Sequence, residues 1–385
     1  MKISGAIIIE GHVQGLSNVR SLGERGIPIY VIDVNHCLAQ HSKYCRKFFR
    51  CPAFSSPQFI DFILKIGENE QLDGWVLIPS NDHIVENLSH NKERLTPYFK
   101  TIVPSPDILN KIINKKNLLD VALQCGTPFP ATCYPENLKM VKSFNFPILL
   151  KGNYGLSFYK ATHAKAIQAN NIEELHSLLS DILTKVEPKN IMIQELIPFD
   201  AENKVVSFTC FAEQGEIKTY WMGEKLREHP IKYGTATYSR SINIPQVLRG
   251  AVPLVNNLSY TGVCEIEFMR DPRDGVYKLI EINPRTWLWV GLAKTCGIDY
   301  AYMVYAYLNK LPINYGMEYT INIKWINWIT DLVFGMESIV KHNITLRNYL
   351  KSLKGRKVNA IWNWNDIMPG IAFLFLLLYI AKKRG

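Results

Sequence analysis

The chain has 385 residues, of which 47% are hydrophobic and 20% are charged, and its formal net charge is +10. This length accommodates two or three domains with ample cores, and the composition is that of an ordinary folded protein, which argues against a low-complexity or repeat protein. The basic balance favours anionic partners, which are nucleotide phosphates, nucleic acid or an acidic membrane face.

Residues 1–103 alternate between predicted strands and predicted helices. This alternation predicts a small parallel sheet with helices on both faces. Gly11 and Gly15 follow the first strand, and Asp33 ends the second, as in half of a dinucleotide-binding site. However, GHVQG lacks the G-x-G-x-x-G spacing, so a nicotinamide or flavin site is not expected. The predicted strands are Ile3–Ile9, Ile27–Asp33, Trp75–Ile78 and Thr101–Val103.

A second unit with α+β character begins near Asp107. Its strands are expected to pair antiparallel, with helices on the flanks, unlike the first unit. A polar stretch over residues 226–241 is predicted to be a loop, and so is the stretch that follows the strand ending at Lys151. The other predicted elements are helices at Asn110–Cys125, Glu173–Leu183, Gln246–Asn256 and Tyr300–Leu308, and strands at Pro147–Lys151, Ile191–Leu196, Val205–Phe211 and Glu216–Met222.

The most informative stretch is a predicted hairpin between Thr261 and Arg285. Residues 264–268 and 277–283 read as strands joined by a turn rich in Asp, Pro and Gly. Period-two alternation places Glu267, Glu281 and Asn283 on one face, and three such oxygen ligands suit a hard cation such as Mg²⁺. The alternative is a surface hairpin with solvated acids. Glu265 shares this face, where it binds substrate or faces solvent.

The last seventy residues are rich in tryptophan, and residues 367–381 form an almost continuous apolar segment followed by Lys-Lys-Arg-Gly. Fifteen helical residues extend about 22 Å, less than the ~30 Å hydrocarbon core, so a spanning helix is not expected. Two interpretations remain: a shallow anchor on a membrane surface, or a helix packed on the protein's own core. The eight scattered cysteines suit a reducing compartment. A cytoplasmic location is expected, either free or at the inner face of the membrane.

The hairpin sequence IEF followed by IEINPR resembles the metal-binding hairpin of the ATP-grasp superfamily of carboxylate–amine ligases. The resemblance covers about residues 1–310, and it implies an α/β, Rossmann-like domain over 1–106 that precedes an α+β ATP-grasp domain over 107–310. The central subdomain would extend to about residue 196. We expect residues 311–385 to form a helical, partly hydrophobic C-terminal extension. Within the superfamily, the GIPIYVID and LIPSNDHIVE segments resemble the branch that holds D-aspartate ligase.

The resemblance also implies roles for individual residues, with ATP and two Mg²⁺ ions (Mn²⁺ as a substitute) as cofactors. Glu267 would bind one Mg²⁺, Glu281 would bridge two, Asn283 would bind the second, and Arg285 would stabilise the transferring phosphoryl group. The remaining candidates are Lys116 and Lys151 for the phosphates, Gln194 and Glu195 for adenine, Glu202 for the ribose, and Lys225 and Arg227 for the substrate carboxylate or γ-phosphate.

The implied activity is ATP-driven formation of an acyl phosphate from a carboxylate, followed by attack of an amine. Both substrates would be small molecules, and a cell-envelope or polysaccharide precursor is a candidate. One departure from the superfamily is the stretch GNYGLSFYK, which stands where a glycine-rich flap is usual. This departure favours an alternative, an ATP-binding but inactive scaffold or sensor at a membrane. Nucleic acid is not an expected partner, because the basic residues are spread through the chain.

Overall fold

Three β-sheets organise the part of the chain that the structure, a computed structural model, describes: residues 4–198, 204–229 and 234–375. The first sheet contains only parallel strands, in the order β3-β2-β1-β4-β5. Strand β1 is buried along its whole length, which explains its continuous apolar sequence. The elements of this region are β1 (Ala6–Ile9), α1 (Val13–Gly23), β2 (Ile29–Asp33), β3 (Cys45–Arg50), α2 (Gln58–Asn69), β4 (Trp75–Pro79), α3 (Asp82–His90), α4 (Lys92–Leu95) and β5 (Phe99–Lys100).

The parallel sheet expected from the alternating pattern is therefore present, with two differences. Strand β3 was not predicted, and the last strand lies at Phe99–Lys100 where the sequence predicted Thr101–Val103. The GHVQG turn has a packing explanation, because a Cβ on Gly15 would lie 2.1 Å from the carbonyl oxygen of Glu10. Asp33 accepts a hydrogen bond of 2.8 Å from the backbone N–H of Gly11.

A four-stranded sheet in the order β6-β9-β7-β8 forms the central subdomain. The single helix predicted over Asn110–Cys125 is two helices, because Asn114 is extended and its Oδ1 caps the backbone N–H groups of Lys116 and Asn117. The loop predicted after Lys151 contains a helix, α7. The elements here are α5 (Pro106–Ile113), α6 (Lys115–Gln124), β6 (Thr132–Cys133), β7 (Ile148–Gly152), α7 (Gly155–Thr162), β8 (Ile167–Ala169), α8 (Ile172–Leu183) and β9 (Ile191–Glu195).

The largest sheet has seven strands in the order β14-β13-β10-β11-β12-β15-β16. The stretch over 226–241 predicted to be a polar loop is instead mostly strand, in β11 and β12. Its hydroxyl side chains at Thr237, Ser239 and Ser241 are buried, so hydrophobicity did not reveal the strand. The first elements are β10 (Val205–Glu213), β11 (Glu216–His229), β12 (Thr235–Ile242), α9 (Pro245–Asn257), β13 (Gly262–Arg270), β14 (Tyr277–Asn283), α10 (Val290–Thr295) and α11 (Tyr300–Leu308).

The region after residue 310 adds strands to the largest sheet, where the sequence predicted a helical extension. Strand β15 (Lys324–Ile326) pairs antiparallel with β12, and helices α12 (Trp328–Val340) and α13 (Leu346–Ser352) precede β16 (Lys357–Asn359). Residues 368–375 are helical, and the rest of the predicted apolar segment, 376–381, lies outside the described residues. Within the described ranges, we find no helix that combines the length and the apolar character needed to cross a membrane.

One hydrophobic core joins the parallel sheet to the largest sheet. Leu16 and Val19 of α1 belong to the same buried cluster as Trp287, Trp289 and other residues of the segment after β14. A buried ion pair of 2.9 Å between Arg20 and Asp366 adds a polar link from α1 to the chain near its C-terminus. These contacts hold helix α1, and with it the parallel sheet, close to the segment that follows the β13–β14 hairpin.

Candidate active site

The predicted hairpin is formed by β13 and β14, and their register brings four polar side chains together. Glu265 lies opposite Asn283, and Glu267 lies opposite Glu281. These four residues share one face of the hairpin, because side chains alternate along each strand. The sequence therefore predicted the arrangement of Glu267, Glu281 and Asn283 correctly. Solvent exposure of Glu265 was a wrong alternative, since this residue is only 3% exposed.

Hydrogen bonds fix the side chains at this face. Ser207 of β10 donates to Glu265 at 2.7 Å, and the amide nitrogen of Asn283 donates to the other oxygen of Glu265 at 3.1 Å. The second contact orients the Asn283 amide so that its oxygen is directed away from Glu265. Lys225 Nζ lies 2.7 Å from Glu267 and is the ammonium group in contact with these carboxylates.

The pKa values at the hairpin show how burial and neighbouring charges act on each buried side chain. Burial, together with the nearby Glu267 carboxylate, raises the pKa of Glu265 to about 7. Burial would lower the pKa of Lys225, but Glu267 and Glu265 outweigh that effect and raise it. Burial alone would raise the pKa of Glu281, but the surrounding cations hold this pKa below its usual value. The cations are Lys115, Lys225 and Arg285.

Arg285 follows the hairpin and is held by the parallel-sheet region. Its guanidinium donates to both carboxylate oxygens of Asp82, at 2.7 and 3.0 Å, and to the amide oxygen of Asn283 at 3.3 Å. Asp82 begins α3 just after β4, at the carboxyl edge of the sheet where ligands commonly bind. Gln14 of α1 donates to the Thr286 carbonyl at 2.5 Å, which fixes the next residue. Sequence reasoning did not identify Asp82.

Three lysines lie on the two elements from which phosphate ligands were expected: Lys151 on β7, and Lys115 and Lys116 on α6. Lys151 is the next-to-last residue of β7 and donates to the Gln194 side chain at 2.9 Å. Burial, with the nearby charge of Lys115, lowers the pKa of Lys151 to about 8. Lys115, which the sequence did not identify as a phosphate ligand, lowers the pKa values of both Lys151 and Glu281 through its charge. Lys116, the predicted phosphate ligand on this helix, is exposed, and its ammonium lies 5.4 Å from the centre of the Tyr134 ring. Consecutive helical residues point about 100° apart, which separates the two lysines.

The residues proposed for adenine lie at the end of β9 and are both buried. Gln194 bonds to Lys151 and, through its amide nitrogen, to Thr132 at 2.9 Å. Glu195 accepts hydrogen bonds from the backbone and side chain of Asn145, and it forms an ion pair of 3.0 Å with Arg273 in the hairpin turn. The Glu195–Arg273 pair links the central subdomain to the hairpin. Glu202, the ribose candidate, lies outside the described residues.

Arg227 has a different set of partners from those expected of a residue that binds substrate. Its guanidinium donates to both oxygens of Asp331 on α12, each at 2.7 Å, and to Ser352 at 2.7 Å. A β-bulge between Lys225 and Arg227 interrupts the alternation of side chains, so the two residues contact different neighbours. These hydrogen bonds to Asp331 and Ser352 hold the C-terminal region against β11. Its expected role beside Lys225 is therefore not supported by its position.

The donor set at the hairpin fits a hard divalent cation. Carboxylates and an amide oxygen are the ligands that Mg²⁺ selects, and burial together with the neighbouring Glu267 carboxylate raises the pKa of Glu265. Glu267, Glu281 and Asn283 are the residues that could hold such an ion. No cluster of three or more His, Cys, Asp or Glu residues with metal-binding geometry is found in the described part of the chain.

Comparison with known proteins finds a family match over residues 240–306, to the carbamoyl-phosphate synthase L chain, ATP binding domain. This match includes the whole β13–β14 hairpin. A curated relative, the D-aspartate ligase of Enterococcus faecium, is 25% identical over 253 residues, which are 61% of this chain and 59% of the relative. The chain thus spans less than two thirds of the length of that relative.

Solved structures share the fold over most of the chain. A biotin carboxylase from Campylobacter jejuni, solved as a β-γ-ATP complex, matches with a TM-score of 0.65 and 16% identity, covering 83% of this chain and 74% of that one. The N5-carboxyaminoimidazole synthetase of Staphylococcus aureus matches with a TM-score of 0.64 and 14% identity, covering 83% and 81%. Identities at this level show a common fold.

Proposed function

We propose that this chain, which belongs to the ATP-grasp superfamily, is an ATP-dependent ligase that joins a carboxylate to an amine. The observation that carries the proposal is the convergence of Glu265, Glu267, Glu281 and Asn283 on one face, with Lys225 and Arg285 beside them. Glu265 and Glu267 are buried close enough for their charges to interact, and a divalent cation bound at this face would offset both the burial and the repulsion.

The reaction would proceed in two steps. A carboxylate oxygen attacks the γ-phosphorus of ATP, and the bond between this phosphorus and the oxygen that bridges the β- and γ-phosphates breaks. The products are ADP and an acyl phosphate. The amine nitrogen then attacks the acyl carbon, the carbon–oxygen bond to phosphate breaks, and the nitrogen loses a proton as the amide forms. Mg²⁺, held by Glu267, Glu281 and Asn283, would supply positive charge to the phosphate oxygens.

The chain's own cations have separate tasks in this reaction. Lys151, near the end of β7, binds the α- or β-phosphate, because its ammonium donates to the side chain of the adenine candidate Gln194 on β9. Arg285 contacts the transferring phosphoryl group, and Asp82 holds its guanidinium in the required orientation. Glu265 orients Asn283 through a hydrogen bond to its amide nitrogen. Lys225 lies beside Glu267 and is the remaining candidate for the substrate carboxylate or γ-phosphate.

An assay of ADP release tests the proposal. Purified protein is given ATP, Mg²⁺ and a panel of carboxylates and amines, which includes D-amino acids because the curated relative is a D-aspartate ligase. We expect ADP and phosphate release that depends on one acid–amine pair, with the amide detected by mass spectrometry. Small cell-envelope and polysaccharide precursors complete the panel.

The Glu281→Ala variant separates this function from the inactive scaffold, which the helix α7 in place of a glycine-rich flap favours. A ligase loses turnover in this variant. A scaffold would bind ATP, but the wild type would then release no more ADP than Glu281→Ala does, whichever acid–amine pair is supplied. That result would refute the proposal.

A further inference from the structure

The two C-terminal helices α12 and α13 expose an apolar surface. On α12 the exposed residues lie at positions i, i+1, i+4 and i+8, which fall within about 100° of the helix circumference. Met336 is 61% exposed and Val340 is 76% exposed, unusual values for side chains of this type. We define the C-terminal apolar face as Leu332, Val333, Met336 and Val340 of α12 with Leu346 and Leu350 of α13.

This face is presented on helices that the fold holds firmly. Asp331 of α12 is fully buried, and it accepts hydrogen bonds from Arg227, Thr237 and Tyr349. Helices α12 and α13 pack closely, since a Cβ on Gly335 would lie 2.7 Å from the Tyr349 ring. The helices are therefore anchored through their inner sides, and the outward position of the apolar side chains follows from the packing.

Basic residues accompany the apolar face. Between residues 341 and 357 the exposed side chains include six cations: Lys341, Arg347, Lys351, Lys354, Arg356 and Lys357. The nearby acids offset little of this charge. Asp331 and Asp366 are buried in ion pairs with Arg227 and Arg20, and Glu337 is bonded to Lys341 alone among these cations. The surface beside the face is consequently positive.

We propose that the C-terminal apolar face docks onto the surface of an anionic lipid bilayer. Apolar side chains rimmed by lysine and arginine are the composition of segments that lie in the headgroup region, where the cations meet acidic lipid. A second copy of this chain is a poorer occupant, because pairing two such faces brings two positive rims together. Trp364, which is 96% exposed in the segment that follows β16, is a side chain type that prefers the same interface.

Co-sedimentation with vesicles tests this proposal, using vesicles of phosphatidylcholine alone and of phosphatidylcholine with phosphatidylglycerol. We expect the full chain to pellet with the anionic vesicles and much less with the neutral ones. Met336→Glu with Val340→Glu should weaken binding by roughly tenfold or more, and so should Arg347→Glu, Lys351→Glu and Lys354→Glu together. The matched controls are Leu123→Glu, at an apolar side chain 71% exposed on α6, and Lys139→Glu, Lys142→Glu and Lys185→Glu together, on the central subdomain.

Four results would overturn the proposal. The first is absence of the full chain from the anionic pellet, and the second is equal loss of binding in the control variants. The third is complete loss of binding in a chain ended at residue 375, which would assign the interaction to the last ten residues. The fourth is a stable oligomer that Met336→Glu with Val340→Glu converts to a monomer without any effect on vesicle binding. Circular dichroism of each variant establishes that it is folded, and none of these results depends on ligase activity.

Discussion

Two buried groups of charged residues lie on neighbouring stretches of the largest sheet, and they differ in how far their charges are balanced. Around Arg227, one guanidinium faces one carboxylate, Asp331, and hydroxyl groups of Thr237 and Tyr349 complete the hydrogen bonds. At the hairpin, three glutamates face Lys225 and more distant cations, and burial with mutual repulsion raises the pKa of Glu265 to about 7. The first group is complete within the protein. The second keeps Glu265 and Glu267 close enough to interact, and it is the group to which we assign a bound cation in the proposed function.

The largest expected effect comes from breaking the balanced group. Asp331→Ala leaves the Arg227 guanidinium buried without its partner, and we expect the free energy of unfolding to fall by about 3–5 kcal/mol. Urea denaturation followed by circular dichroism measures this change. In the double variant Arg227→Met with Asp331→Leu most of the loss should be recovered, because no charge remains buried. A single variant as stable as the wild type would show that the pair has no structural role.

The opposite behaviour is expected at the hairpin. Glu281→Gln removes both the cost of burying this carboxylate and its attraction to Lys115, Lys225 and Arg285, so the free energy of unfolding without ligand should change by less than about 1 kcal/mol. The additional stability that the wild type gains from MgADP, about 2.7 kcal/mol at a hundred times its dissociation constant, should be mostly lost. Thermal unfolding with and without MgADP measures both values. Equal stabilisation of the variant and the wild type by MgADP would contradict the assignment.

The contact between Arg285 and Asp82 connects the hairpin to the parallel sheet. Asp82→Asn removes the charge that orients the guanidinium, and we expect kcat to fall by roughly 10- to 100-fold with a smaller change in KM for ATP. Asp61→Asn, at an exposed ion pair with Arg94, is the matched control and should leave both constants unchanged. Steady-state kinetics with the substrate pair identified by the assay tests this. An unaltered kcat in Asp82→Asn would remove Asp82 from the site.

The smallest effect concerns pH. Burial and the charge of Lys115 lower the pKa of Lys151 to about 8, so this ammonium loses its proton in the free protein as pH rises above 8. Bound phosphate favours the charged form, hence ATP affinity should fall by up to about tenfold per pH unit above 8. Lys151→Arg keeps its charge and should bind ATP with little dependence on pH over the same range. A similar decline in both proteins would assign the titration to another group.

The sequence predicted the hairpin because its information is local. Strand alternation and a short turn determine which side chains of residues 264–283 share a face, and the register followed the expectation. Contacts between distant segments were not accessible in this way. Asp82 meets Arg285 across 203 positions of the chain, and the bulge that separates Lys225 from Arg227 has no clear sequence signal.

Two further differences have physical causes of the same kind. The strands of residues 226–241 carry buried hydroxyl groups, of which Thr237 bonds to Asp331 and Ser241 bonds to the Ile323 carbonyl, so their polar sequence resembled that of a loop. Lys116 was the phosphate candidate by resemblance, and the rotation of α6, which leaves Lys116 exposed and brings Lys115 near Lys151 and Glu281, has no signal in the local sequence. Asp82 does have a sequence signal. It is a polar residue shortly after β4, and ligands commonly bind at the carboxyl ends of parallel strands.

The most direct measurement of the central claim is an anomalous difference map from crystals grown with ADP and Mn²⁺. The account predicts Mn²⁺ density bounded by the Glu267 and Glu281 carboxylates and the Asn283 amide oxygen, with phosphate oxygens of ADP as further ligands. It also predicts that Lys225 no longer contacts Glu267 as its main partner. Clear density for ADP with Mn²⁺ bound elsewhere, or with no Mn²⁺ at the hairpin, would contradict the account.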